Sequence, residues 1–260
     1  AFDANDTDPT MYDYSCDGTD DDVQINAAFA ALPVTGGRVL LSEGTFNIGA
    51  TLILATPYNT LEGQGMATLI SLENTKNVDC IRIGQGTTFT QSNIAFVDSN
   101  PDTITRATGD FVASEYAVGG RIVVTGSVSN NGTYTITVVA SGTLTVAESL
   151  VAEAAGASLT ITPVSSSNCQ VKNLRIEGNM NNNTSSNGIA VIQNANYARI
   201  ESCTISNTSL ANIDVDSEAA NSYISNNYCD TTLASSGISN FEGGGDGLIL
   251  IRTLPSLMNF

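Results

Sequence analysis

The chain has 260 residues, a formal charge of −17 and only 9 lysines and arginines, with no histidine and no tryptophan. The missing histidine excludes Ser-His-Asp and Cys-His catalysis and histidine-ligated zinc. The scarcity of basic residues excludes a nucleic-acid-binding surface, because no basic stripe is there to neutralise phosphates, and no run of about 18 apolar residues exists to span a membrane.

The first fifteen residues read as an irregular, polar lead-in. Next comes "SCDGTDDDVQINAAFAALP", with Asp17, Asp20, Asp21 and Asp22 close together. The spacing is not the D-x-D-x-D-G of a calcium loop. Thr19 or Asp20 can cap a helix, and the following aspartates suit its positive N-terminus. Ile25, Ala28, Phe29 and Leu32 then recur at helical spacing and form one apolar face. Pro33 and the Gly36-Gly37 pair stop the helix. Beyond it the period changes, and "RVLL", "TFNI" and "TLIL" are short β-type runs separated by turn residues.

From about residue 168 the chain repeats itself. In "QVKNLRI", "RIESCTI" and "YISNNYC", Val171, Leu174 and Ile176 line up with Ile200, Cys203 and Ile205, then with Ile224, Asn227 and Cys229. A second series is "GIAVIQ", "NIDVDS" and "GLILIR", with steps of 24 and 35 residues. Recurring short strands of this kind indicate a solenoid whose rungs stack around one core. "SNIAFVDSN" (92–100) resembles "KNLRIEGN" (172–179) and is expected to be the rung before it. Between them "RIVVTG", "GTYTITVV", "GTLTV" and "ASLTIT" alternate strictly, with a hairpin signal at Asn131-Gly132. About four or five antiparallel strands are expected there as an insert. The expected organisation is therefore 1–101 for the lead-in, helix and first rungs, 102–163 for the insert, and 164–260 for the remaining rungs and tail.

The motifs of the first hundred residues resemble a known family. Asp17-Gly18, Asp20-Asp21, the Gly36-Gly37 turn, Glu43-Gly44-Thr45-Phe46 and Leu61-Glu62-Gly63-Gln64-Gly65 are similar to the opening segment of right-handed parallel β-helix proteins of the pectate-lyase-like superfamily. The resemblance covers residues 14–100 and 164–252. It implies an all-β, right-handed parallel β-helix of about six to seven rungs, an N-terminal capping helix and an inserted small antiparallel β module. The insert, with its Asn130-Asn131-Gly132-Thr133-Tyr134 turn, is similar to a small module that recurs in phage virion proteins. That fold hosts lyases, hydrolases, epimerases, tailspikes and adhesins, so the resemblance alone leaves function open.

Three readings follow. The first is a virion or extracellular attachment protein, a tail spike, head fibre or capsid decoration, that binds a surface glycan or another virion protein. The second is a polysaccharide hydrolase or lyase, and the third a secreted cell-surface adhesin. For the enzyme, Asp214 and Asp216 are the first candidates. With Ile213 and Val215 inward they project from one face of one strand, roughly 6.5–7 Å apart, near the roughly 6.5–9.5 Å carboxyl separation of inverting glycosidases. Ala190 and Ile192, and Ile249 and Ile251, are their expected apolar column neighbours, able to raise a carboxyl pKa. Glu177 and Glu201 are second candidates. Lys172 and Glu201 occupy matching columns and suit a surface ion pair. No lyase motif is present to carry over.

"GLILIR" is apolar on both faces and "GIAVIQ" nearly so, which calls for a cover. Either the "TLPSLMNF" tail or a second subunit supplies it. Ala190, Ile192, Ile249 and Ile251 are the expected interface, and the resemblance to phage spikes implies a trimer. The last rung shows no evident cap, which calls for a partner, a tail fold-over or further sequence. No metal site or cofactor is called for, calcium alone staying open. Cys16, Cys80, Cys169, Cys203 and Cys229 form no C-x-x-C, and their odd number cannot complete a disulfide framework. They read as buried thiols.

Overall fold

A computed structural model describes residues 13–216, 219–230 and the backbone of 236–240. "GLILIR", with Ile249 and Ile251, and the "TLPSLMNF" tail lie outside the described residues.

The chain is a right-handed parallel β-helix with an N-terminal capping helix and an inserted antiparallel module. Helix α1 (Asp22–Ala30) comes first. The first rung is β1 (Arg38–Leu40), β2 (Gly44–Ile48) and β3 (Leu52–Leu54); the second is β4 (Thr60–Glu62), β5 (Thr68–Leu72) and β6 (Ile81–Ile83). The module follows as β7 (Phe89–Gln91), β8 (Ile94–Val97), β9 (Thr103–Arg106), β10 (Arg121–Thr125), β11 (Gly132–Ala140), β12 (Thr143–Val146) and β13 (Leu159–Pro163). The third rung is β14 (Gln170–Lys172), β15 (Arg175–Glu177) and β16 (Ile189–Val191). The fourth is β17 (Arg199–Glu201), β18 (Thr204–Ser206) and β19 (Ala211–Val215), and the fifth β20 (Tyr223–Ser225), β21 (Tyr228–Cys229) and β22 (Ser236–Asn240). Each rung gives one strand to each of three parallel sheets. The first sheet is β1-β4-β14-β17-β20, the second β2-β5-β15-β18-β21 and the third β3-β6-β16-β19-β22.

Identical positions in successive rungs face the same environment, so the core is built as columns. Val39, Leu61, Val171, Ile200 and Ile224 form one in the first sheet. Phe46, Ile70, Ile176, Ile205 and Cys229 form one in the second. The expected pairing of Val171, Ile200 and Ile224 is the observed register. Each fully buried aliphatic side chain contributes about 1.5–3 kcal/mol relative to exposure. All five cysteines are free, four of them buried. Burial pushes the Cys169 and Cys203 thiols up to about 12, so neither ionises readily.

The aspartate cluster does something other than cap a helix dipole. Asp21 occupies the N-cap position but makes no side-chain cap bond. Its carboxylate is fully buried and accepts the Gly18 N–H at 2.9 Å and the Asn47 N–H at 2.8 Å. Asp22 accepts the Gly49 N–H at 2.6 Å. One turn on, Asn26 accepts the Ile53 N–H and donates to the Thr51 carbonyl, both at 2.9 Å. These side chains stand in for a missing rung on the open edge of β2 and β3, whose backbone groups would otherwise be unpaired. Asp20 reaches Lys76 at 3.4 Å. No group of three or more metal-ligating side chains occurs among the described residues.

The module is larger than 102–163. "IAFV" is not a solenoid rung: β8 pairs antiparallel with β9, and β7 with β13. The rung before the third is instead the second, where Leu61 meets Val171 and Ile70 meets Ile176. Inward alternation over four residues is the same in a rung and in an antiparallel strand, so the pattern could not decide between them. Seven strands run in the order β7-β13-β10-β11-β12-β9-β8, and the long β11 shifts register between Ile136 and Val138 and belongs to both halves. A second core lies between the halves, with Phe96, Phe111, Ile122, Ile136, Leu144 and Ile161 buried. Arg106 lies 4.3 Å from the Phe89 ring centroid, 5.5 Å from that of Phe111, and donates to Gln91 at 2.8 Å.

The link from β10 to β11 is a longer loop, 126–131, rather than a tight Asn-Gly hairpin. Glu153 organises it. Its carboxylate accepts from the Ser127 hydroxyl at 2.6 Å, the Val128 N–H at 3.0 Å, the Asn130 amide at 3.1 Å and the Ser129 N–H at 3.2 Å. These bonds, the Ser127 hydroxyl first, hold the carboxyl below its ordinary pKa of 4.5. A depressed folded-state pKa stabilises above the unfolded value and is lost as pH falls through the folded one. Protection factors of the 127–131 amides, which divide out the pH dependence of intrinsic exchange, are therefore expected to be high at neutral pH and to fall as pH drops below 4.5. In Glu153→Gln those factors should be low throughout; pH-independent protection factors in the wild type contradict the assignment.

Candidate functional site

The outward positions of the third sheet form the column Ile53, Arg82, Ala190, Asp214 and Ser239. Asp214 projects outward between buried Ile213 and Val215, as its alternation demands, and is half-buried. Asp216 lies past the strand end, exposed, its N–H donating to the Val191 carbonyl at 2.8 Å. The neighbour above Asp214 is Ser239, not Ile249 or Ile251. The rung closes 25 residues after Asp214, much as the previous one closed after 24, and so it uses "SGISN" before the chain reaches "GLILIR". Apolar likeness pointed past the spacing the stack requires. Ala190 is buried within the chain itself and has no surface to give a subunit; Ile192 is half-buried.

Other groups meet this column at Arg82 and beside it. The Arg82 guanidinium, largely buried, meets Glu115 of the module at 3.0 Å. Gly86 N–H donates to the Glu115 carbonyl at 2.8 Å, and the Gln85 amide to the Arg121 carbonyl at 3.0 Å, so the module is tied to the third sheet by several bonds. Asp79 accepts the Asn187 N–H at 3.0 Å. Burial pushes its carboxyl above the ordinary value, and the charge of Asp214 acts in the same direction; the Asn187 N–H and Arg82 oppose both. A carboxyl whose pKa is raised by burial, with a second carboxylate close enough to act on it, is a combination that can serve acid–base chemistry. Asp79 sits in "NVDC", where no spacing marks it. Its only signal in the sequence is a carboxylate two residues before an apolar–basic–apolar triplet.

The second candidates lie on other walls. Glu177 is on the second sheet, where Ser206 donates to it at 3.0 Å and the Asn207 amide also bonds it. Glu201 is on the first sheet, where Gln170 donates at 2.9 Å and Arg199 stands at 3.6 Å. Lys172 and Glu201 are in register as expected, but the Lys172 ammonium pairs with Glu62 of the preceding rung at 3.4 Å. The fold thus spreads the four carboxylates over three sheets.

The turn that leads into the first sheet holds a different feature. Gly36, Tyr58, Asn168, Tyr197 and Asn221 each stand two residues before a first-sheet strand, and all have positive φ: 88°, 61°, 61°, 59° and 59°. Backbone bonds from Tyr58 N–H to Ser167, Asn168 N–H to Asn196 and Tyr197 N–H to Ala220 stack them into one column. Gly36 is required there, since a Cβ would come within 2.6 Å of the Pro57 carbonyl. Asparagine tolerates this backbone; a tyrosine in it costs roughly 1–2 kcal/mol. Yet Tyr58 and Tyr197 are 60% and 54% exposed, so the strain secures no core packing. No motif or periodicity in the sequence singles out these tyrosines.

No protein-family description matches the chain, and no curated protein does. Solved structures do. ORF18 of Geobacillus virus E2 is 12% identical with a TM-score of 0.49, covering 90% of this chain and 30% of its own. The A-module of mannuronan C-5 epimerase AlgE6 from Azotobacter vinelandii is 15% identical with a TM-score of 0.45, over 87% of this chain and 43% of its own. Tailspike protein gp49 of Pseudomonas phage LKA1 is 16% identical with a TM-score of 0.33, over 84% and 36%. The chain therefore spans less than half the length of each. No helix among the described residues is long and apolar enough to cross a membrane.

Proposed function

We propose that the chain is the β-helical part of a virion attachment protein, of the tail-spike, head-fibre or decoration kind, that presents its outer walls to a surface glycan. The observation that supports this is the set of outward ladders. Among the described residues, successive rungs hold hydroxyl, amide, carboxylate and guanidinium groups at fixed rung spacing, on strands whose inward side chains are buried through the first four rungs. A rigid, repeating polar wall loses little side-chain entropy when it meets a repeating polymer. The purified chain is expected to bind at least one polysaccharide from a panel of bacterial surface polymers saturably, leaving polymer length unchanged by size-exclusion chromatography. Binding to none of them sinks the reading.

One observation favours a second reading, a glycan-cleaving enzyme: the raised Asp79 carboxyl within electrostatic reach of Asp214. Shortening of the polymer by the wild type, lost in folded Asp79→Asn and Asp214→Asn, would replace attachment with hydrolysis or elimination.

A further inference from the structure

We propose that Tyr58 and Tyr197 are two platforms of one binding track, laid along the solenoid axis beside the first sheet, for an extended oligosaccharide that carries carboxylates. The inference rests on the attachment reading and assigns it a face and a ligand class.

The first observation is strain without a structural return. Four non-glycine residues occupy the left-handed column, and two are asparagines, which suit it. The other two are exposed tyrosines. A strained conformation kept at a solvent-facing aromatic points to function. The second is spacing. Tyr58 belongs to the turn before β4 and Tyr197 to the turn before β17, with the Asn168 turn between them. Two rung steps set them about 9.5 Å apart. Their common backbone conformation starts both side chains in the same direction. In an extended β-1,4-linked sugar chain alternate rings present the same face, so two platforms separated by two steps suit every second ring. The aromatic face takes the C–H face of a sugar while the phenol stays in water.

The third observation is the chemistry of the adjoining column. The first outward position of the first sheet reads Arg38, Thr60, Gln170, Arg199 and Tyr223. In a chain of charge −17 this column holds no carboxylate. The acids stand one column further on, where Glu62 meets Arg38 at 3.2 Å and Glu201 meets Arg199 at 3.6 Å. Arg199 also lies 5.4 Å from the centroid of the Tyr223 ring. Each guanidinium has five N–H donors, so one held by a glutamate still has others to offer. Carboxylates on the ligand fit these donors. The overall negative charge opposes the approach only weakly, because at physiological ionic strength charges more than about 8 Å away are largely screened.

The test uses fluorescently labelled hexasaccharides of β-1,4-linked uronic acid and of β-1,4-linked glucose, with binding read by anisotropy. Alongside it, thermal unfolding is compared for the wild type, Tyr58→Asn and Tyr197→Asn. The wild type is expected to bind the acidic probe more tightly than the neutral one. Each asparagine variant should weaken acidic-probe binding about tenfold while its melting temperature holds or rises, since asparagine suits the backbone better. A role in packing alone would lower the melting temperature instead, and that result overturns the proposal. Equal affinity for the two probes overturns the ligand class. Panel polysaccharides bound equally well by wild type and both variants overturn the track while attachment stands, and no binding to any polysaccharide takes both down.

Discussion

Phe111→Ala is expected to unfold the inserted module ahead of the solenoid. Phe111 is fully buried, its ring centroid 5.7 Å from that of Tyr116 and 6.1 Å from that of Phe89, with the Arg106 guanidinium nearby. Truncating a buried phenylalanine costs about 3–5 kcal/mol, part transfer and part cavity. The loss falls on a core of its own: the buried residues of the module and those of the solenoid form two separate clusters. Calorimetry should therefore show the variant's transition split, the module melting first, with solenoid amides still protected from exchange at that temperature. A single transition lowered as a whole would mean that the joint through Arg82, Glu115, Gln85 and Gly86 makes the two cores one cooperative unit.

Asp21→Asn should cost about 2–4 kcal/mol, far more than an exposed carboxylate could. The two carboxylate oxygens accept the Gly18 N–H and the Asn47 N–H, one on each, and the Asp17 N–H also lies in hydrogen-bonding reach. Asparagine keeps one acceptor and turns an NH2 toward the other donor, so one bond is lost and two donors face each other in a site closed to water. Urea unfolding checks the value. Asp17→Asn is the control: its carboxylate accepts the Thr19 N–H on the exposed surface, and the change should stay within about 0.5 kcal/mol. If both variants behave alike, the buried staple is not what holds the helix to the first rung.

Much of this architecture is legible because a solenoid must repeat to stack. Val171, Ile200 and Ile224 fall into register at the spacing the repeat itself shows, and strict alternation announces a β module between rungs. Short strands are where legibility ends. "IAFV" has the same inward residues whether it pairs parallel in a rung or antiparallel in the module, and "GLILIR" resembles a rung more than "SGISN", which the spacing prefers.

The sequence by itself determined the class of fold: an apolar-faced helix, then repeated apolar columns and an interrupting sheet, all set by side-chain periodicity. Only the tertiary structure decided what the polar groups do. A polar side chain finds its partner in a neighbouring rung, as when the buried Ser166 hydroxyl donates to the Ala55 carbonyl across 111 positions of chain. Stacking sent Asp21 to a backbone edge, placed Asp79 near Asp214, scattered Glu177 and Glu201 onto separate walls, and set Tyr58 and Tyr197 two rungs apart in one column. Hydrogen bonds and charges act between neighbours in space, and in a coil of this kind those are seldom neighbours in sequence.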